Sequence, residues 1–166
     1  SYKGSSREDF IATAFYAHSA ELVIKVGKLL GKDMAEYEAL RDRIVAAFRK
    51  SFPEYKTQTE RVLAVHFGLC EDGQKTADAL AEMVTADGKQ LRTGFVGTPY
   101  LLHVLSKYGH ADLAWDLLLR RAYPGWLYPV TKGATTIWEH WDGIKEDGTF
   151  WSTDMNSYNH YAYGAV

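Results

Sequence analysis

The chain is nearly free of cysteine. Cys70 is the only one among 166 residues, which excludes a disulfide within the chain and a zinc site built from its own thiolates. An excess of one charge is missing too. The formal net charge is −2 and no basic block occurs, so the electrostatic footprint of a nucleic-acid binder is absent. No apolar run approaches the roughly 20 residues that cross a bilayer, and no stretch reads as a charged-then-apolar signal segment. No fixed-period repeat recurs, which argues against a consensus solenoid. None of these absences fixes a compartment. What is present is 46% hydrophobic and 24% charged, the balance of an ordinary globular domain long enough to bury a core.

The first two-thirds carry helical periodicity. Ile11, Phe15, His18, Leu22, Val26 and Leu29 recur at steps of three and four and predict one inward helical face, ended by Gly31. Asp33 is expected to cap a second helix with a stripe of Tyr37, Leu40, Ile44 and Phe48, stopped at Pro53. A third helix starts near Thr57 and turns Val62, Leu63, His66, Phe67 and Cys70 inward. Ala77, Leu80, Ala81 and Val84 mark a fourth, closed by the turn pair Asp87-Gly88. Pro99, with Thr98 as cap, opens a fifth that buries Leu101, Val104, Leu105 and Tyr108. Leu113, Ala114, Leu117 and Leu118 make a sixth after Gly109. Short links force antiparallel neighbours, so the expectation is an all-α chain of helical hairpins.

After Arg121 the pattern changes. Pro124, Gly125, Pro129, Gly133 and Gly143 interrupt any long helix, and four of the five tryptophans follow Tyr123. This predicts a loop-rich, aromatic-rich cap on a helical scaffold, where binding groups usually sit. Within it, Thr135-Thr136-Ile137-Trp138-Glu139-His140-Trp141-Asp142-Gly143 sets the Glu139 carboxylate between two indoles. Flat rings pack against the C–H faces of a pyranose and a carboxylate handles protons, as a sugar-cleaving site requires. The same pattern also describes two packed indoles beside a solvated Glu139. Ser157 to Val166 turns helical and apolar again and stops uncapped, whereas Ser1 to Ser6 looks like loop; the chain thus reads as a piece of a larger domain.

Other candidates have simpler readings. Glu139 and Asp142 would share a helical face, but Asp142-Gly143 reads better as a turn. The order Glu139-His140 does not match the helical His-Glu-x-x-His metal site. His160, among Tyr and Asn, is either a hydroxyl or carboxylate partner or a structural histidine. His18, His66 and His103 fall on or near apolar stripes and are expected in the core, as is an inert Cys70 thiol. Gly94 to Pro99 matches no phosphate-binding loop and reads as a tight interhelical turn.

Three stretches taken together resemble a known family. They are Thr93-Gly94-Phe95-Val96-Gly97-Thr98-Pro99-Tyr100-Leu101-Leu102, Gly133-Ala134-Thr135-Thr136-Ile137-Trp138-Glu139-His140-Trp141-Asp142, and Ser157-Tyr158-Asn159-His160-Tyr161-Ala162-Tyr163-Gly164. In order and spacing they resemble the bacterial α-L-rhamnosidases of glycoside hydrolase family 78. The resemblance implies an (α/α)6 toroid, six helical hairpins in a ring with the site at one end. Residues 1–166 are expected to form a single partial domain, the carboxyl-side half of that ring. It further implies inverting release of terminal α-L-rhamnose from a glycoside. No cofactor is expected, and no residue is singled out as a metal ligand. By resemblance Glu139 is the general base, His160 contacts the sugar ring, and Trp138 and Trp141 wall the pocket. The family's general acid lies in an acidic, Arg- and Trp-containing motif of the earlier half, which has no counterpart here. The isolated chain is therefore expected to be inactive and to self-associate through faces the missing half would cover. The rival readings are a non-catalytic carbohydrate-binding or scaffold domain and a toroidal glycosidase for another sugar.

Overall fold

A computed structural model describes residues 5–165, so most of the expected Ser1–Ser6 loop and the final Val166 lie outside the described residues. The described residues fold into seven helices: α1 (Glu8–Leu29), α2 (Ala35–Ser51), α3 (Gln58–His66), α4 (Gly73–Ala86), α5 (Thr98–Lys107), α6 (Ala111–Leu118) and the short α7 (Leu127–Thr131). A single 3₁₀ turn, Ala162–Gly164, follows. The described residues contain no strand, only an isolated antiparallel bridge between Ile144 and Phe150.

Each boundary has a local cause. Gly31, Gly88 and Gly109 take positive φ where α1, α4 and α5 end, a region that costs glycine little. The Thr57 side chain accepts the Glu60 N–H, and Asp72 accepts the Lys75 N–H, so α3 and α4 start on capped turns. Met34, not the expected Asp33, occupies the cap position of α2, and the Asp33 carboxylate accepts the Ala35 N–H at 3.0 Å from one residue earlier. Thr98 does not cap α5. Its hydroxyl is buried against the Thr93 hydroxyl at 2.8 Å, and Gly97 occupies the cap position.

The short links produce the hairpins α1–α2, α3–α4 and α5–α6. Helix α3 also packs on both α1 and α5, so α1, α3 and α5 lie side by side in chain order. Phe10 anchors the first hairpin, with ring centroids 4.8 Å from Phe48 and 5.1 Å from Phe52 in edge-on geometry. Leu63, Leu69, Leu80, Leu101, Leu105 and Leu117 are fully buried and join the three hairpins into one core.

Helix α1 corrects the periodicity reading. It buries Phe10, Ala14, Ala17, Ala20, Ile24 and Gly27; of the expected stripe, Ile11 and Phe15 pack half-buried against the core, whereas Leu22, Val26 and Leu29 do not. The reason is close approach. A Cβ at Gly27 would fall 2.1 Å from the Met34 sulfur, so the packed face needs small side chains. Leu22, Val26 and Leu29 are displaced outward and are 47%, 55% and 88% exposed. Two of the expected core histidines are also exposed. His66 and His103 lie on the surface, with His66 against the Tyr100 ring at 4.4 Å, and only His18 is half-buried, stacked on Phe67 at 4.2 Å. Cys70 is buried as expected, and burial pushes its thiol up from its usual range.

The start of α3 carries a buried charge. Glu60 is 1% exposed and receives Arg7 Nε at 3.0 Å on one oxygen and Arg7 Nη2 at 2.9 Å on the other. The Lys56 N–H adds a third bond at 2.6 Å, and the Arg7 guanidinium lies 5.0 Å from the Phe52 ring centroid. Burial raises the carboxyl, but the Arg7 side chain and the amides of Lys56 and Arg7 outweigh it and hold it below its ordinary 4.5. Breaking such a pair from one side costs about 3–5 kcal/mol, and the lower end applies because Arg7 is partly open to water. Glu60→Ala is therefore expected to destabilise the fold by about 3 kcal/mol in urea titrations. A carboxyl with a depressed folded pKa gives its full stabilisation above the unfolded value and loses it as pH falls through the folded one. The wild type should thus lose stability as pH drops below about 4.5, and the Ala variant should lose less over the same window.

Candidate active site

The cap is built by aromatic contacts, not by regular structure. The Trp126 indole N–H donates to the Tyr163 carbonyl at 2.7 Å. The Trp141 ring stacks on Tyr163 at 4.0 Å with 10° between planes, and Trp126 meets Trp141 edge-on at 5.2 Å. The turn that holds Tyr163 packs on α5. One three-ring cluster therefore fastens the end of the chain and the Glu139 loop to the helical layer.

With that anchor in place, two loop segments run against each other. The His160 N–H donates to the Ile137 carbonyl at 2.8 Å, and the Glu139 N–H donates to the Ser157 carbonyl at 3.0 Å. The Thr136 hydroxyl also donates to the Tyr158 carbonyl. Glu139 and His160 lie 21 positions apart in sequence, yet their backbones sit in the same cross-linked pair of segments. Both side chains are half-buried. Segment 157–164 is not the expected helix. Its His160 N–H and its Ser157 and Tyr158 carbonyls bond the neighbouring loop, which leaves only the short 3₁₀ turn.

The loop bearing Glu139 turns at once, as expected. The Gly143 N–H donates to the His140 carbonyl at 3.1 Å, so Glu139 and Asp142 do not share a helix face. A Cβ at Gly143 would lie 3.0 Å from Trp138 and 3.1 Å from Tyr158, so glycine lets these rings close over the turn. His140 stacks on Trp151 at 3.6 Å. Among the described residues no group of three or more His, Cys, Asp or Glu side chains could hold a metal ion.

Trp138 and Trp141 are 4% and 9% exposed. Here they pack the loop from behind. Trp138 also borders a cleft of about 250 Å³ with Thr136, Phe150 and Tyr158, whose lining includes neither Glu139 nor His160. Two contributors escaped the sequence reading. Phe95, on the loop before α5, stacks on His160 at 5.0 Å and tilts against Tyr163 at 5.1 Å, yet is 42% exposed. Tyr163 supplies the stacking surface for Trp141. Both lie in stretches that carry the family resemblance, which gave neither of them a role.

The class that emerges is a helical-hairpin domain with its candidate chemistry in aromatic-braced loops beside the amino end of α5. The chain belongs to the family described as the bacterial alpha-L-rhamnosidase 6 hairpin glycosidase domain, whose model matches residues 1–166. It is 45% identical over 167 residues to an alpha-L-rhamnosidase of Streptomyces avermitilis, covering 96% of this chain and 16% of that protein. An alpha-L-rhamnosidase of Formosa agariphila is 41% identical over 175 residues, covering 99% of this chain and 19% of its own length. Two solved structures are similar in fold. The Streptomyces avermitilis alpha-L-rhamnosidase complexed with L-rhamnose has a TM-score of 0.94 at 44% identity, over 99% of this chain and 17% of that one. The Aspergillus terreus enzyme gives 0.92 at 29% identity, over 99% and 20%. The chain thus spans about a fifth or less of the proteins it matches.

Proposed function

We propose that this chain is the carboxyl-side half of the catalytic domain of a glycoside hydrolase that releases terminal α-L-rhamnose with inversion. The observation that carries the reading is the cross-linked pair of segments 137–139 and 157–160, which supports joint action of Glu139 and His160 on one sugar. Glu139 is the general base. It takes a proton from water as that water attacks the anomeric carbon opposite the departing glycoside oxygen. His160 contacts the sugar ring. Trp138 and Trp141 wall the pocket, and their burial supports doing so as rigid backing for the Glu139 loop.

An inverting site needs a second carboxyl group about 6.5–9.5 Å from the base to protonate the leaving oxygen. We assign it to the amino-side half of the ring, outside this sequence. General acid help is typically worth roughly 10²–10⁴-fold, so the isolated chain is close to inactive on glycosides with poor leaving groups. The experiment is Glu139→Gln in the complete protein. It is expected to lower kcat about 10²–10⁴-fold and leave rhamnose binding within a few-fold. Proton NMR of the wild-type reaction should show β-L-rhamnose as the first product. Unchanged turnover in the variant would return the chain to a binding or scaffold role.

The outward stripe of Leu22, Val26 and Leu29 supports self-association when the chain is isolated. We assign the face to a second copy in that setting. Sedimentation at micromolar concentration is expected to show dimers that Val26→Glu converts to monomers. A wild-type monomer would contradict the assignment.

A further inference from the structure

His160 is held from two directions. Its Nδ1 accepts the Ala162 N–H at 3.3 Å, a bond only an unprotonated Nδ1 can make. Among the described residues Nε2 has no hydrogen-bond partner. The neutral ring therefore carries its proton on Nε2, and the open nitrogen is a donor. A hydroxyl-rich ligand can be met by such a donor, whereas the other tautomer would offer a bare lone pair.

The hydrogen bond does not by itself hold the ring plane, because a lone contact at one nitrogen leaves the imidazole free to tilt. Phe95 supplies the second restraint. Its ring lies 5.0 Å from the imidazole with 20° between planes. Its other neighbour is Tyr163, which is locked onto Trp141. The backbone beneath Phe95 is itself fixed. The N–H groups of Gly97 and Thr98 both donate to the Gly94 carbonyl, at 3.1 and 3.0 Å. Gly97 abuts Thr59 so closely that a Cβ would lie 2.8 Å from its hydroxyl oxygen. Gln58, buried at the start of α3, bonds both the Arg92 N–H and the Gln90 carbonyl at 3.0 Å and pins the approach to this loop.

We propose that Phe95 is a positioning residue for His160, holding the imidazole against the Ala162 amide so that the Nε2–H tautomer faces the sugar. The value of the device for turnover rests on the sugar-contact reading of His160; the tautomer and the stack do not. Phe95 acts through His160 and is not itself assigned to the chemistry.

The test has two arms. In the 166-residue chain, long-range ¹H–¹⁵N spectra of the neutral histidines should show His160 with an unprotonated Nδ1 and a protonated Nε2. Phe95→Leu should move both nitrogen shifts toward the averaged values of a freely exchanging imidazole, and Phe95→Tyr, which keeps the flat ring, should restore them. A wild-type His160 protonated on Nδ1, or shifts that Phe95→Leu leaves unmoved, would overturn the proposal. Leucine at this exposed site keeps the fold testable, and the tyrosine variant controls for it. In the complete protein, Phe95→Leu should lower kcat/KM about 3- to 10-fold, the range of one lost aromatic contact, and Phe95→Tyr should recover it. If the spectra behave as stated but His160→Ala leaves kcat/KM intact, the positioning stands and the sugar-contact reading falls.

Discussion

The stack of Trp141 on Tyr163 holds the rest of the site together. The cap has little regular structure, so hydrogen-bond ladders of helix or sheet cannot set its shape. Two buried rings 4.0 Å apart do that work, with the Trp126 indole N–H closing on the Tyr163 carbonyl. Aromatic pairs of this kind add about 0.5–1.5 kcal/mol beyond their burial. The larger consequence is geometric. With residues 141 and 163 held, the segments before them pair in the observed register, the His160 N–H on the Ile137 carbonyl and the Glu139 N–H on the Ser157 carbonyl. That register places Glu139 and His160 in adjoining segments.

The helical layer serves this cap by being rigid where the cap touches it. Helix α5 receives the 3₁₀ turn, and the loop before α5 is braced by Gln58 and Thr59 at the start of α3. The same start of α3 is tied to α1 through the buried Glu60–Arg7 pair. A chain of polar, satisfied contacts thus runs along the helix starts nearest the cap. Residues with chemistry to perform sit on loops, but those loops are mounted on the least yielding part of the scaffold.

Much of this was legible in the sequence. The six long helices announce themselves by period and by their breakers, because Gly31, Gly88 and Gly109 mark real left-handed ends. The inward side of the second half of α1 was not legible, although Ile11 and Phe15 in its first half do pack on the core. Periodicity ranks faces by the size of their apolar groups, whereas the α1–α2 contact selects for small ones, as Gly27 against Met34 requires. His66 and His103 were misplaced for a related reason: lying near an apolar stripe does not make a position interior. In the cap, Glu139 and His160 stood out through motif resemblance. Phe95 and Tyr163 lie in the resembling stretches but drew no role, since theirs arise from contacts between segments far apart in the chain, which local pattern does not encode.

The measurement that tests the central claim most directly is a crystal structure of the complete protein with L-rhamnose bound. The account predicts the ring of the sugar against His160 and a Glu139 carboxylate oxygen within hydrogen-bond reach, about 2.6–3.2 Å, of a water lying next to the anomeric carbon. A sugar bound elsewhere, or a Glu139 carboxylate turned away from the anomeric carbon with another group holding that water, would contradict it.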